Sequence, residues 1–187
     1  MQSFDPTSLQ YFRSAGLKTK VVQLIDADDY DLKTGKMIYT SNDAYNFIDG
    51  RPYSWTVSGK ADTFGDLLTK DGLAEVKKYA DGIGPWKPQV MSWSVSPYPT
   101  TAGFKPSLPG DVNTVTSTGL LKDAHDAGLF VHVYTFRNET QYLAAYYNQD
   151  PIQEFLTFYR EGVDGVFTDF ANTGVAARDL FLKETGH

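Results

Sequence analysis

The chain has 187 residues, a formal net charge of −6 and no cysteine. This length suits one domain with a substantial core, and the acidic balance with scattered Lys and Arg argues against a nucleic-acid-binding surface. The lack of cysteine excludes disulfides, thiolate metal sites and cysteine nucleophiles. The sequence has no apolar run of about 18 residues that would predict a membrane span, and its first ten residues lack the features of a signal peptide.

The first third of the sequence predicts a strand end, a capped helix and a second strand. Residues 2–4 come directly before Asp5 and Pro6, which suit the N-cap and the first position of a helix. Residues 20–25 (KVVQLI) read as a short strand. Residues 26–62 are polar and form too long a stretch for an ordinary connection, which is typical of a functional loop.

The rest of the sequence alternates helices with short strands. Helices are predicted over residues 63–80 (with a possible break at Asp71 and Gly72), 117–127, 151–160 (with Asp150 as N-cap) and 173–184, and strands over 81–85, 130–136 and 163–170. A second long loop is predicted over residues 86–118. Strict alternation predicts five parallel strands joined by right-handed crossovers. In a (β/α) barrel, loops that follow strands gather on the face where active sites are built.

Five segments, taken in order, resemble the glycerophosphodiester phosphodiesterase family. They are QSFD (2–5), VVQL (21–24), ADGIGP (80–85), VHVYTFRNE (131–139) and GVDGVFTDF (162–170), and they look like the family's fourth to eighth strands. Ala171 stands where the family usually has Pro. The resemblance implies an α/β fold of the TIM-type (β/α) barrel class. Residues 1–187 would be its C-terminal portion, an incomplete barrel of the last five βα units without strands one to three.

The resemblance also implies an activity, which is hydrolysis of glycerophosphodiesters to sn-glycerol 3-phosphate and an alcohol. Such enzymes use two histidines as acid and base together with a divalent cation, for which calcium is expected, held by carboxylates. The family's His-Arg-Gly motif is not found in this sequence, nor is its Glu-x-Asp motif at a strand end. We therefore expect no catalytic residue and no metal ligand in this chain, and an isolated chain that is inactive.

The three histidines are expected to have other roles. His125 falls on the helix before the seventh strand of the resemblance, where a surface or packing role is favoured. His132 lies within that strand and is expected to pack there. His187 is the last residue, where chain termini are commonly poorly ordered.

Acidic residues after two predicted strands are the weak candidates for a metal site or for catalytic carboxylates in this chain. Asp26, Asp28 and Asp29 form a cluster without a recognised calcium-loop pattern, so a solvated group of charges is favoured. Asp169 is expected to support a strand end. An unrelated (β/α) hydrolase that acts on sugars would need paired carboxylates at strand ends, and only these residues qualify.

The contribution expected of this chain is substrate binding, because strand-end residues face the mouth of a barrel. The candidates are Gln2, Phe4, Trp86, Tyr134 and Phe136. Tyr134 is expected to pack against the glycerol carbons and Trp86 to cover the pocket, whereas barrel core is the alternative for Phe4 and Phe136. Arg137 is placed where it could meet a phosphate, although a lone loop arginine is usually solvated.

The open sheet predicts how the chain associates with itself, and the resemblance predicts its ligand. Five parallel strands without closure leave two unpaired edges, which predict poor solubility or a homodimer formed through those edges. The expected ligand is a glycerophosphodiester bound in the context of the full enzyme, and the type resembled is the extracytoplasmic bacterial and plant-like one. The alternative function is a non-catalytic binding or scaffold paralogue of the same fold.

Overall fold

A computed structural model of the chain describes residues 1–40, 50–101, 106 and 109–186. The strands are β1 (Gln2–Ser3), β2 (Val22–Ile25), β3 (Asp29–Asp31), β4 (Lys36–Ile38), β5 (Gly82–Pro85), β6 (Met91–Ser94), β7 (Thr114–Ser117), β8 (Phe130–Phe136) and β9 (Gly165–Thr168). The helices are α1 (Pro6–Ser14), α2 (Tyr53–Ser58), α3 (Phe64–Leu67), α4 (Lys70–Lys77), α5 (Lys87–Val90), α6 (Leu120–Asp126), α7 (Pro151–Glu161) and α8 (Ala171–Thr185). In the part of the chain so described, no helix is long and apolar enough to cross a membrane.

The central sheet has five strands in the order β1-β2-β5-β8-β9, and each neighbouring pair is parallel. Helices connect the strands along the chain, so the sheet is a series of consecutive βα units. This topology is that of a partial (β/α) barrel, as the sequence predicted. The helix caps were predicted as well: the Asp5 carboxylate accepts the Thr7 N–H at 2.8 Å, and Asp150 accepts the Ile152 N–H at 2.9 Å.

The two long predicted loops contain regular structure, which corrects the sequence analysis. The first carries the antiparallel hairpin of β3 and β4 together with α2, and the second carries α5 and the antiparallel hairpin of β6 and β7. These strands have only three or four residues each, and β3 (DYD) buries a single side chain, Tyr30. One buried residue is too little to produce a period-two pattern. Predicted loop residues 41–49, 102–105 and 107–108 lie outside the described residues.

The helix predicted over residues 63–80 is divided into α3 and α4, but at a different position from the one predicted. The division falls at Leu68 and Thr69, where the Thr69 hydroxyl accepts the Gly72 N–H at 3.0 Å and caps α4. Gly72 itself lies inside α4. A Cβ built there would be 2.0 Å from the Asp66 carbonyl oxygen, so the glycine permits the close approach of two helix ends.

The main core lies between the sheet and the helices packed on it. Phe136 has 0% exposure; its ring stacks on Phe155 with centroids 4.6 Å apart and meets Phe158 edge-on at 5.0 Å. A second, smaller cluster lies beneath the two hairpins and includes Tyr30 and Trp93. The hairpins are therefore anchored to the protein by their own core.

We expect Phe136→Ala to lower the free energy of unfolding by about 3–5 kcal/mol, because it leaves a cavity in a packed aromatic cluster. Urea denaturation followed by far-UV circular dichroism measures this change. Tyr11→Ala is the control, since Tyr11 is 67% exposed and its removal should change stability by no more than about 0.5 kcal/mol. An unchanged unfolding midpoint for Phe136→Ala would contradict the assignment to the core.

Candidate functional site

A pocket of about 340 Å³ opens at the carboxyl ends of β5 and β8. Four aromatic side chains and two basic ones line most of it: Trp86, Trp93, Tyr134, Tyr142, Lys87 and Arg137. We call it the aromatic pocket. Its position is the end of the sheet at which parallel barrels build their active sites, and its volume falls within the usual range for small-molecule sites.

Backbone contacts hold the walls of the aromatic pocket in place. Trp86 directly follows β5 and forms an isolated parallel bridge with Tyr134 of β8. The Tyr134 hydroxyl donates to the Ile25 carbonyl oxygen at the end of β2, at 3.0 Å. Trp93, from the β6–β7 hairpin, meets the Trp86 ring edge-on with centroids 6.4 Å apart. Three strand ends and one hairpin therefore fix these rings relative to one another.

A buried ion pair forms the floor of the pocket. The Lys87 Nζ lies 2.8 Å from Glu154 Oε1, and the two side chains are 3% and 0% exposed. The ammonium also lies 5.4 Å from the ring centres of Trp93 and Phe136. Burial raises the pKa of Glu154, although Lys87 opposes this shift. The other carboxylate oxygen of Glu154 and the Tyr147 hydroxyl are buried and hydrogen-bond to none of the described residues.

Arg137 at the rim is also paired with carboxylates. Its Nε donates to Glu139 Oε2 at 3.1 Å and its Nη2 to Oε1 at 2.5 Å, while Nη1 lies 3.2 Å from Asp169 Oδ2. The hydrogen bond from Arg137 lowers the pKa of Glu139. The guanidinium carbon lies 4.6 Å from the Tyr142 ring centre. The nitrogens of the guanidinium that could bind a phosphate are thus directed at carboxylates: Nε and Nη2 at Glu139, and Nη1 at Asp169.

A second pocket, of about 490 Å³, lies at the end of β1 and is lined by Gln2, Phe4, Asp26 and neighbouring residues. We call it the β1 pocket. The Phe4 ring meets the Tyr134 ring edge-on, with centroids 6.1 Å apart. These two rings therefore separate the β1 pocket from the aromatic pocket, and both pockets open near the carboxyl ends of the strands.

Four of the five predicted substrate-binding residues thus line pockets at this end of the sheet. Trp86 and Tyr134 line the aromatic pocket, and Gln2 and Phe4 line the β1 pocket. Phe136 lies in the core instead, which corrects the prediction for that residue. Regular alternation would place it on the same face as Tyr134, but the register of β8 against β9 shifts between Val133 and Phe136, and this irregularity turns the Phe136 ring towards α7.

Neither His125 nor His132 lines either pocket. His125 on α6 is 40% exposed, and its Nε2 lies 2.8 Å from Asp164 Oδ2. The His132 ring packs against Phe130 and Phe167 at centroid distances of 4.6 and 6.1 Å, and burial lowers its pKa. These positions agree with the packing and surface roles predicted from the sequence, whereas His187 lies outside the described residues.

The acidic cluster after β2 does not fit a calcium site. The Asp26 and Asp29 carboxylates accept the backbone N–H of the next residue, at 2.9 and 2.7 Å. Across residues 1–40, 50–101, 106 and 109–186, no three or more His, Asp or Glu side chains are grouped so that they could hold a metal ion.

Four residues of the site were not predicted from the sequence: Lys87, Trp93, Tyr142 and Glu154. Trp93 lies in a stretch that was predicted to be a loop, and Tyr142 lies in a short 3₁₀ turn after β8. Glu154 does carry a signal, because it is one helical turn before Phe158 on the buried face of α7. A glutamate within an apolar helix face predicts a buried partner, which the structure identifies as Lys87.

The sequence model of the glycerophosphoryl diester phosphodiesterase family matches residues 1–173 of this chain. Similar proteins include Glycerophosphodiester phosphodiesterase GDPD6 of Arabidopsis thaliana, 35% identical over 59% of this chain and 26% of the relative. A Glycerophosphodiester phosphodiesterase of Haemophilus influenzae is 27% identical over 98% of this chain and 42% of the relative. The chain therefore spans less than half the length of these curated relatives.

We expect Lys87→Met to destabilise the fold by about 3–5 kcal/mol, since it leaves the Glu154 carboxylate buried without its cation. The unpaired carboxyl should have a folded-state pKa above its unfolded value. The stability of the variant should then be greatest at low pH and fall as the pH rises from the ordinary carboxyl range through that raised pKa. Urea denaturation across this pH range measures the effect.

The double variant Lys87→Met with Glu154→Gln is the matched control for this prediction. It removes both charges, so it should recover most of the lost stability and show little pH dependence over the same range. A single variant that is as stable as the double one at neutral pH would show that the ion pair does not hold the pocket floor.

Proposed function

This chain belongs to the glycerophosphoryl diester phosphodiesterase family, and we propose on that basis that it is the substrate-binding part of a phosphodiesterase. The reaction proposed is hydrolysis of a glycerophosphodiester to sn-glycerol 3-phosphate and an alcohol. Members of the family act on glycerophosphodiesters and are generally metal-dependent. The cation we propose for the complete enzyme is calcium.

The observation that carries this proposal is the aromatic pocket, which lies within the residues that match the family. Trp86 and Tyr134 come from neighbouring strands of the sheet and are fixed by backbone contacts at its carboxyl end. Rigid aromatic walls suit the carbon atoms of an organic substrate, because they bury apolar surface at little conformational cost. The neighbouring β1 pocket, with Gln2 and Phe4, offers room for a second part of the same substrate.

We propose further that proton transfer and cation binding depend on residues outside those described. His125 contacts Asp164 on a helix surface, the His132 ring packs against Phe130, and neither side chain lines either pocket. General acid catalysis requires a group within hydrogen-bond reach of the leaving oxygen. On this proposal, the chain alone binds substrate but does not turn it over.

The open edges of the sheet bear on the assembly of the enzyme. β1 and β9 each pair with one neighbouring strand in the five-stranded sheet. Closure of a barrel would require further parallel strands between these two edges. We propose that the rest of a family barrel completes the sheet, and a homodimer of this chain is the alternative arrangement. Sedimentation velocity on the chain alone distinguishes a monomer from a dimer.

We expect the 187-residue chain alone to release no glycerol 3-phosphate from glycerophosphocholine in the presence of calcium. A chimera in which this chain replaces the matching segment of the Haemophilus influenzae relative should release it, and chelation with EDTA should abolish the release. A coupled glycerol 3-phosphate dehydrogenase assay measures both reactions, and the unaltered relative is the positive control.

Three outcomes of this experiment decide between the proposals. Turnover by the chain alone would contradict the assignment of the acid, base and cation to other residues. A folded chimera without turnover would contradict the enzymatic proposal and favour a non-catalytic binding paralogue. Turnover by the chimera that fails when Trp86→Ala is introduced would support the role of the aromatic pocket.

A further inference from the structure

The β1 pocket has two walls that come from distant parts of the sequence. Gln2, Ser3 and Phe4 form one wall at the end of β1, and residues 51–53, which lead into α2, form the other. Asp5 directly follows the first wall and lines the same pocket. α2 has six residues, and none of them is buried. The position of the second wall therefore depends on the polar contacts that α2 makes.

The Asp5 carboxylate joins the two walls. Its Oδ1 accepts the Thr7 N–H at 2.8 Å and the Ser8 N–H at 3.4 Å, which caps α1. Ser54 of α2 donates twice to the same carboxylate, from its backbone N–H to Oδ2 at 3.0 Å and from its hydroxyl to Oδ1 at 2.9 Å. The residue before α2 is Pro52, which has no polar side chain that could cap a helix. One carboxylate thus serves the first turns of two helices.

The backbone next to Asp5 is held by buried groups. The Gln23 side chain is buried, and its amide nitrogen donates to the Phe4 carbonyl oxygen at 3.0 Å. Its Oε1 accepts the Tyr79 hydroxyl at 3.0 Å. A buried amide with both ends hydrogen-bonded fixes the groups that it contacts. Asp5 therefore attaches α2 to a well-held part of the protein.

The same contacts limit what Asp5 can do chemically. An ionised carboxylate has about four lone-pair sites, and four donors already converge on this one. Little acceptor capacity is left for a substrate hydroxyl or a cation. The carboxylate is thus suited to act on the pocket through α2 and not on the reacting atoms.

We propose that Asp5 is a positioning residue, which sets the separation of the two walls of the β1 pocket by holding α2 against the end of β1. This inference rests on the proposed function in one respect, namely that the pocket receives part of a glycerophosphodiester. The contact between Asp5 and Ser54 can be tested without any ligand.

The variant Asp5→Asn separates the two roles of this residue. Asparagine is as good an N-cap as aspartate, so α1 keeps its cap through the amide oxygen. The amide nitrogen would then face the Ser54 N–H, and two donors cannot form a hydrogen bond. Asp150→Asn is the matched control, because Asp150 also caps a helix that begins with proline and lines neither pocket.

The first measurement is amide hydrogen exchange of the full 187-residue chain, followed by ¹⁵N NMR. We expect Asp5→Asn to speed exchange of the Ser54 amide about fivefold or more, while the Thr7 amide keeps its protection. Asp150→Asn should leave the Ser54 amide as it is in the unmodified chain. Equal exchange at Ser54 in Asp5→Asn and the unmodified chain would overturn the inference.

The second measurement uses glycerophosphocholine, with both the chain alone and the chimera with the Haemophilus influenzae relative. Asp5→Asn should weaken binding to the chain and raise the KM of the chimera, each about threefold or more, with kcat within about twofold. The reason is that a displaced wall removes binding without touching the reacting atoms. A purely structural role would lower the amount of active chimera, and thus the apparent kcat, at an unchanged KM.

The outcomes for the inference and for the proposed function are distinct. An active chimera whose KM is unchanged by Asp5→Asn would overturn the positioning role alone. An inactive unmodified chimera would contradict the proposed function alone, and the dissociation constant of glycerophosphocholine from the chain would then decide the inference. Weakening by Asp5→Asn of about threefold or more would support it, whereas an unchanged or undetectable affinity would contradict it.

Discussion

The structure depends on the backbone pairing of β5 with β2 on one side and β8 on the other. This strand has two glycines, and a Cβ at Gly82 would come 2.4 Å from the Phe130 ring, while one at Gly84 would come 2.6 Å from Leu24. The side chains of the flanking strands therefore lie directly over β5. The two residues that follow it, Trp86 and Lys87, become a wall and the floor of the aromatic pocket. The location of the pocket is thus a consequence of the pairing of β5 with β2 and β8.

The elements that could be predicted from the sequence are those that repeat a strong local pattern. β8 was predicted over residues 130–136 and found there, because six of its seven residues are β-branched or aromatic and the segment follows a glycine turn. The helix at residue 151 was located by its Asp150 cap and by proline at its first position. The hairpins were missed for the opposite reason. Each of their strands is short, and their stability comes from tertiary packing around Tyr30 and Trp93, to which local propensity contributes little.

The candidate site was predictable to a similar extent. The rule that strand ends face the mouth of a barrel located Trp86 and Tyr134, because it depends only on the order of the strands. The same rule failed at Phe136, where an irregularity within β8 reverses the alternation of side chains. No local feature of the sequence predicts the register shift between Val133 and Phe136. Arg137 was expected to be a solvated loop residue that could meet a phosphate. Its pairing with Glu139 and Asp169 depends on three-dimensional contacts that the sequence does not reveal.

The Lys87–Glu154 pair has a consequence for how this protein can change over evolution. The two residues are 67 positions apart in the sequence, yet each is the buried counter-charge of the other. A pair of apolar residues of similar volume would be tolerated at these positions, but either single exchange passes through a form with one isolated buried charge. Positions 87 and 154 should therefore covary. The residue type that α7 can carry at position 154 depends on the residue type at position 87 in the pocket floor.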